Sequence, residues 1–298
     1  MAPAAGIVFT AHNRREMVLE GVRLAKAQTV PVEIIVCDDA SSDGLVEALA
    51  AAHPDVRVIR SDVSRGPCFQ RNVGVAAASS EIVFPLDDDS MLVSPRTIEQ
   101  TLPEFDDPRV AVVAMPFQHV LQSPTVHQRR RGEERETSVN YAACAHAVRR
   151  SAFLELGGYP EEYFYMGEEG DLAIRLLEAG HRLVVGAADP VHHLQPPGRR
   201  SYKPDFYGRR NLLLFYFRHA PLAALPARVG GAIARGIVFG WRNRCLKATF
   251  DGIAEGLRLG LAALPRRRPV SPRTFAAFSA CKRAETMPLA ELERRLDG

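Results

Sequence analysis

Along the first part of the chain, the spacing of apolar positions switches repeatedly between two periods. Residues 6–11 form a short continuous apolar run rich in β-branched and aromatic side chains, which predicts a buried strand. Residues 14–28 then set Met17, Val18, Val22 and Ala25 at helical spacing. A second strand is predicted over 32–37 and ends on Asp38-Asp39. Ser41-Ser42-Asp43 offers a helix cap, and 44–52 reads as an Ala/Leu-rich helix. A third strand covers 56–59, and a Gly66-Pro67 loop leads into a helix over 68–78. A fourth strand over 81–86 ends on Asp87-Asp88-Asp89. This alternation predicts an α/β fold, Rossmann-like, with a mostly parallel central sheet flanked by helices. Ligands of such sheets collect outside the carboxyl ends of the strands, where both acidic clusters fall.

The later pattern is less regular. Residues 110–115 predict a strand, 119–140 loop and polar helix, and 141–149 a further strand. A short helix ends over 153–158. Residues 170–180 predict a helix with Leu172, Leu176 and Leu177 on one face and Gly180 as its stop. A last strand over 183–187 leads to His192-His193. From about residue 205 the composition turns to Leu, Ala and Arg, with helices predicted over 209–218, 222–239 and 245–264. Several pair a basic face with an apolar one, so they either pack on the rest of the protein or lie on a membrane surface. No apolar run reaches the ~20 residues of a membrane span, and the N-terminus has no signal-peptide pattern. The expectation is a cytoplasmic protein, peripheral at the inner face of the membrane where its tail meets lipid.

Of the 298 residues, 46% are hydrophobic and 24% charged, as in ordinary globular proteins. A net charge of +3 gives no whole-chain attraction to nucleic acid, and none is expected as a partner. The charge is uneven: acids gather around 81–107 and 155–171, and arginines at 129–131, 199–200 and 266–268. The five cysteines have neither metal-finger nor redox spacing and read as reduced and structural.

Three consecutive aspartates after a buried strand are expensive unless a cation neutralises them. Hard oxygen ligands suit Mg²⁺ or Mn²⁺, with phosphate oxygens completing the shell. A solvated turn would explain Asp87, Asp88 and Asp89 alone; Asp38-Asp39 closing a second strand of the same sheet favours the cation. In the second cluster, Glu161, Glu162, Glu168, Glu169 and Asp171 are interleaved with Tyr159, Tyr163, Phe164 and Tyr165. Aromatic faces carry sugar rings or fill cores. Glu168-Glu169 open the 170–180 helix, whose positive end favours an ionised carboxylate able to take a proton at neutral pH. A capping pair is the competing reading. Asp171 and Arg175, spaced i, i+4, read as a structural pair. The adjacent His192-His193 leaves metal contact open, and 196–202, with its Gly, Pro and Arg pair, reads as a mobile loop over a diphosphate.

Several blocks carry a family resemblance. Thr10-Ala11-His12-Asn13-Arg14 is similar to the T-x-x-N-R start of family 2 glycosyltransferases of the GT-A fold. Asp38-Asp39-Ala40-Ser41-Ser42-Asp43-Gly44 resembles their D-D-x-S-x-D-G, and Gly66 with Arg71-Asn72-Val73-Gly74 their G-x-x-x-x-R-N-x-G. Asp87-Asp88-Asp89 resembles the D-x-D motif. Residues 157–180 resemble G-G-F-D-E…E-D-x-D-L-x-x-R-L-x-x-x-G, with Glu169 where the family usually carries Asp. Val191-His192-His193 resembles its V-x-H.

The resemblance is rhamnosyltransferase-like, covers about 6–205, and implies an inverting, metal-dependent enzyme that transfers a hexosyl or deoxyhexosyl unit. It would place Thr10 and Asp39 on the nucleoside, with Asp39 reading the base edge and Asn13 and Arg14 in the same donor-binding block. Asp87 would meet the ribose or sugar with Asp88 beside it, and Arg71 would lie near the diphosphate. Asp89 and His193 would hold Mg²⁺ or Mn²⁺, and Glu169 would be the base with Glu168 in reserve. The implied donor is a UDP-, dTDP- or GDP-sugar, and the acceptor a glycan, a lipid-linked saccharide or a small molecule. The implied layout is a catalytic domain over 1–205, with 1–95 binding the nucleotide sugar and 96–205 the acceptor and base, then a helical C-terminal extension over 206–298. Two alternatives stay open. A nucleotidyltransferase would normally carry a Gly-rich basic loop after the first strand, and residues 10–15 contain no glycine; a non-catalytic nucleotide-sugar-binding member would keep the fold alone.

Overall fold

The computed structural model describes residues 3–197 and 201–297. Its first half realises the predicted alternation: β1 (Ala5–Ala11), α1 (Arg15–Lys26), β2 (Val32–Asp38), α2 (Leu45–Ala52), β3 (Arg57–Arg60), α3 (Pro67–Ala77) and β4 (Ile82–Asp87). Then come β5 (Ser90–Met91), α4 (Thr97–Thr101), β6 (Val110–Ala114), β7 (Phe117–His119), β8 (Val126–His127), β9 (Glu136–Thr137) and β10 (His146–Arg149). They are followed by α5 (Arg150–Glu155), α6 (Glu168–Glu178), β11 (Arg182–Val185) and β12 (Val191–His193). The chain closes with α7 (Tyr202–His219), α8 (Leu225–Arg242), α9 (Leu246–Ala263), α10 (Pro272–Ala284), β13 (Met287–Pro288) and α11 (Leu289–Asp297).

The main sheet has seven strands in the order β11-β6-β10-β4-β1-β2-β3. All neighbours are parallel except β10, which runs antiparallel between β4 and β6. Every residue of β1 is buried, as expected of a parallel strand covered on both faces, and this is why it reads as a continuous apolar run rather than an alternating one. Val18, Val22, Leu45, Leu49 and Val75 bring the helices onto Ile7, Phe9, Val36 and Phe84. Two glycines of the matched blocks answer to packing. A Cβ on Gly74 would lie 2.1 Å from Val8, so its absence lets α3 sit directly on β1. Gly66 has φ +82°, and a Cβ there would meet the Phe164 ring at 2.7 Å.

The structure differs from the sequence reading in four places. The polar stretch 119–140 holds no helix; it contributes β8, paired with β7, and β9, paired with β13. β8 closes a local hairpin with β7, whereas the state of β9 was decided by pairing with a distant strand, a signal no local window carries. The strand expected over 141–149 is confined to β10. Ser41-Ser42-Asp43 does not cap α2, which is preceded by Gly44 in a left-handed conformation with no side-chain cap. Instead Asp43 Oδ2 accepts the Arg15 N–H at 2.8 Å and Ser41 Oγ the Asn13 N–H at 2.9 Å, so this loop secures the entry to α1. The strand at 182–185 is not the last on the way to the histidines. They sit on β12, in a separate sheet ordered β5-β12-β7-β8.

The C-terminal helices share the core of the α/β unit. Phe278, Cys281 and Leu292 belong to the same apolar cluster as the sheet, and β13 pairs with β9. All five cysteines are free, four of them buried. Among the described residues no helix is long and apolar enough to cross a membrane.

Candidate active site

The carboxyl ends of β1 and β4, the second sheet and the start of α6 surround one cleft of about 670 Å³. Of the site residues expected from sequence, all but Asn13 line it. Asn13 is turned aside: its Oδ1 accepts the Ser42 N–H at 2.8 Å and its Nδ2 lies 3.1 Å from His12 Nε2, so it braces the loop rather than facing the cleft.

At the first acidic cluster, β12 lies beside β5 so that His193 is opposite Ser90. That register sets His193 Nε2 3.0 Å from Asp89 Oδ1. One ligand atom each from Asp87, Asp89 and His193 can be chosen so that all lie within 4.8 Å of one another. Two carboxylates and an imidazole at this spacing fit a divalent cation taking mixed oxygen and nitrogen ligands. Asp87 thus joins the pair the sequence had marked for metal. Arg14 pairs with Asp89 and reaches Asp88 at 3.3 Å, bringing positive charge to the same carboxylates. Burial would raise the Asp89 pKa, but His193 and Arg14 outweigh it and hold the group below its ordinary value. Asp88 lacks that balance: burial pushes it up to about 6, although it accepts the His12 N–H at 3.1 Å.

Asp39 is engaged on both oxygens. Oδ1 accepts from Arg65 N–H (2.7 Å) and Gln70 Nε2 (2.6 Å), Oδ2 from Ser64 Oγ (2.6 Å) and Gly66 N–H (3.1 Å). Burial raises its pKa, and these four bonds more than reverse the effect. The carboxylate expected on a base edge therefore fixes the β3–α3 loop at the cleft wall. Thr10 Oγ1 donates to the Leu86 carbonyl at 3.4 Å.

Arg71 joins the two acidic clusters. It is 3% exposed, pairs with Asp87 and donates to Glu168 Oε1 at 2.9 Å. Burial opposes its charge, but Asp87 and Glu168 hold its pKa well above the ordinary value. Glu168 is buried, with its second oxygen unpartnered. Glu169 is half-buried, and burial followed by the Glu168 charge pushes its pKa up to about 8. This corrects the expectation of a base ionised at neutral pH by the helix end: desolvation and a like charge outweigh the dipole. Glu169 and Met166 also border a second cavity of about 320 Å³, whose far wall is built by Arg209, Asn211 and Lys282 of α7 and α10.

The segment before Glu168 is strained. Phe164 (φ +59°) and Met166 (φ +74°) adopt left-handed backbone that non-glycine residues disfavour. Buried Asn211 compensates, its Nδ2 donating to the carbonyls of Tyr163, Tyr165 and Met166 at 2.6–3.1 Å. Arg210 adds bonds to the Glu162 and Tyr163 carbonyls at 2.6 and 2.7 Å. Sequence reading did not assign either residue to the site; an Asn-Arg pair inside an apolar helix was the available signal. It also passed over His119, whose Nδ1 is 3.1 Å from His193 Nδ1, and Lys203 and Tyr207, which line the cleft from α7. Gly198, Arg199 and Arg200 of the loop expected over a diphosphate lie outside the described residues.

Asp171 and Arg175 pair at 2.7 Å, as their spacing predicts, and Asp171 also meets His219 Nε2 at 2.7 Å. Burial works to raise the Asp171 pKa, but His219, Arg175 and Arg218 hold it far below the ordinary value. Asp171→Asn should destabilise the fold by about 3 kcal/mol, since Asp171 is buried and Arg175 and His219 would lose their carboxylate acceptor. The depressed pKa means this stability is complete above the unfolded carboxyl's value, about 4, and drains away as pH falls through the lower folded value. Urea unfolding at neutral pH should show the gap, closing in acid; a difference under about 1 kcal/mol would refute the role.

Comparisons with known proteins agree with this geometry. A sequence model of glycosyl transferase family 2 matches residues 6–159. A pre-mycofactocin glycosyltransferase of Mycobacterium tuberculosis is 33% identical over 267 residues, covering 83% of this chain and 54% of that protein; the chain thus spans about half the length of this relative. An N-acetylglucosaminyl-diphospho-decaprenol L-rhamnosyltransferase of the same organism is 26% identical over 234 residues, 64% of this chain and 75% of that one. Among solved structures, a mannosyltransferase of Pyrobaculum calidifontis in complex with GDP-Man and Mn²⁺ superposes with a TM-score of 0.60. It has 20% identity and covers 96% of this chain and 86% of its own. S. aureus TarS 1–349 with UDP-GlcNAc gives 0.63 at 15% identity, covering 94% of this chain and 87% of its own. At these identities the two structures speak for the fold.

Proposed function

This chain belongs to glycosyl transferase family 2, and from that premise we propose that it is a metal-dependent, inverting glycosyltransferase moving one sugar from a nucleoside-diphosphate sugar to an acceptor hydroxyl. The observation that carries the reading is the convergence of both acidic clusters on one cleft through Arg71. The wall of Thr10, Ala11 and His12, beside the β3–α3 loop that Asp39 fixes, would take the nucleoside. Asp87, Asp89 and His193 would hold Mg²⁺ or Mn²⁺, which supplies positive charge for the departing diphosphate. Arg14 and Arg71 add cationic charge at the same place.

The acceptor would enter from the cavity that shares Glu169 with the cleft. Glu169 takes the proton of the attacking hydroxyl as the new bond to the anomeric carbon forms and the bond to the diphosphate oxygen breaks on the opposite face. Glu168 is bound to Arg71 and orients rather than accepts the proton. The donor fold of the solved neighbours, and the nucleotide sugars with which two of them were solved, support this assignment. The absence of a glycine in residues 10–15 weighs against nucleotidyl transfer.

A thermal-shift screen tests the reading. One of the UDP-, GDP- or dTDP-sugars with Mn²⁺ should raise Tm by about 5 °C at roughly hundredfold excess over Kd, and a chelator should cancel the shift. No shift with any donor would sink the proposal.

A further inference from the structure

The end of the α8–α9 hairpin carries large apolar side chains with nothing over them. Trp241 is 72% exposed, Phe250 49%, Val238 48% and Ile237 37%. Ile237, Val238 and Trp241 share a face of α8 by their spacing of three and four. The helices run antiparallel in close contact, since a Cβ on Gly240 would lie 2.5 Å from Thr249 and one on Gly236 3.6 Å from Ile253. Phe250 therefore sits at the same end as Trp241.

The charge at this end of the hairpin is mostly positive. Residues 235–251 hold Arg235, Arg242, Arg244 and Lys247 against one acid, Asp251. Asp251 is already engaged, with Lys247 at 2.7 Å. Arg235, Arg242 and Arg244 have no carboxylate partner among the described residues. Exposed Trp, Phe and aliphatic side chains ringed by unpaired arginine describe a surface for the headgroup region of a membrane with negative charge. A second copy of the chain fits less well, because an isologous contact would set this arginine cluster against its own image.

The patch lies near the cleft mouth. Tyr202, at the start of α7, donates its hydroxyl to Asp251 Oδ2 of α9 at 2.7 Å. Lys203 and Tyr207 of the same turns line the cleft. We propose that the tip of the α8–α9 hairpin docks on an anionic lipid bilayer and holds the cleft mouth against it, so that the acceptor is a lipid-anchored one. The acceptor clause rests on the glycosyltransferase reading; the docking surface does not.

Trp241 is the only tryptophan, so its fluorescence reports on the patch directly. The full chain is mixed with vesicles of phosphatidylcholine alone, or with about 30% phosphatidylglycerol. The expected result is a blue shift and co-sedimentation with the phosphatidylglycerol vesicles only, weakened about tenfold when salt rises from ~0.1 to ~0.5 M. Arg242→Glu with Arg244→Glu should weaken binding by about tenfold or more, and Val238→Ser with Trp241→Ser should abolish sedimentation. All variants should keep the wild-type circular dichroism and donor thermal shift, since none of these residues lines the cleft. Unshifted emission with the protein left in the supernatant overturns the proposal. So does emission already blue in buffer together with a concentration-dependent dimer, which would give the patch to a second copy. If vesicle binding holds while no donor shifts Tm, the transferase reading falls and the docking surface stands.

Discussion

Glu169→Gln should lower sugar transfer by about 10³-fold, within the range for removing a positioned base, while donor affinity stays within about twofold of wild type. Glutamine keeps the size and one acceptor oxygen of the side chain but has no site for the proton. The split between kcat and donor Kd separates this loss from a general disturbance of the cleft. Folding should not suffer: burial and the Glu168 charge already disfavour the ionised form of Glu169, so a neutral amide resembles the protonated carboxyl that predominates at neutral pH. The same cause sets a pH dependence. With a pKa of about 8, the free enzyme's base is largely protonated at pH 7, so kcat/KM should rise with pH toward a plateau above about 8. Glu169→Asp should retain a rising limb at reduced rate. Full turnover in Glu169→Gln would move the base to Glu168.

Asp89→Asn should remove metal-dependent donor binding and reduce transfer by about 10³-fold or more, roughly 4 kcal/mol at 1.36 kcal/mol per decade. Asp89 meets His193 at 3.0 Å and pairs with Arg14. An amide in its place removes a negative charge from the candidate cation site and weakens the hold on both partners. Titration calorimetry with donor and Mn²⁺ should show the loss, with the metal-free signal unchanged. Donor affinity equal to wild type in the presence of Mn²⁺ would refute a metal role for Asp89. The two substitutions should also differ in kind: Asp89→Asn acts on the donor and Glu169→Gln on the acceptor step alone.

Much of this arrangement can be read along the chain. Residues 6–11 and 81–86 read as buried strands because a strand covered on both faces has no polar side, so local composition carries the answer. The spacing of Asp171 and Arg175 predicts their contact because helix geometry fixes i, i+4 neighbours. Of the ordered blocks from Thr10 to Asp89, three sit at the end of a strand whose identity was already legible, and the Gly66–Gly74 block opens α3. The role of Asp43 was not legible. A capping residue looks the same whether it serves the helix after it or one that starts twenty-eight residues earlier, and only the fold brings Asp43 to Arg15.

What the sequence determined by itself was the parallel α/β core, the edge of the sheet where chemistry gathers, and the residue types available there. The tertiary structure alone decided the rest. Strand pairing across the chain put His193 against Asp89 and His119 against His193. A buried arginine tied Asp87 to Glu168. Asn211 held the strained turn before Glu168, and exclusion of water raised Glu169 where the helix end would have lowered it. The division has one physical cause: periodicity and chain geometry act between near neighbours, whereas desolvation and charge–charge coupling depend on which distant segments share a volume.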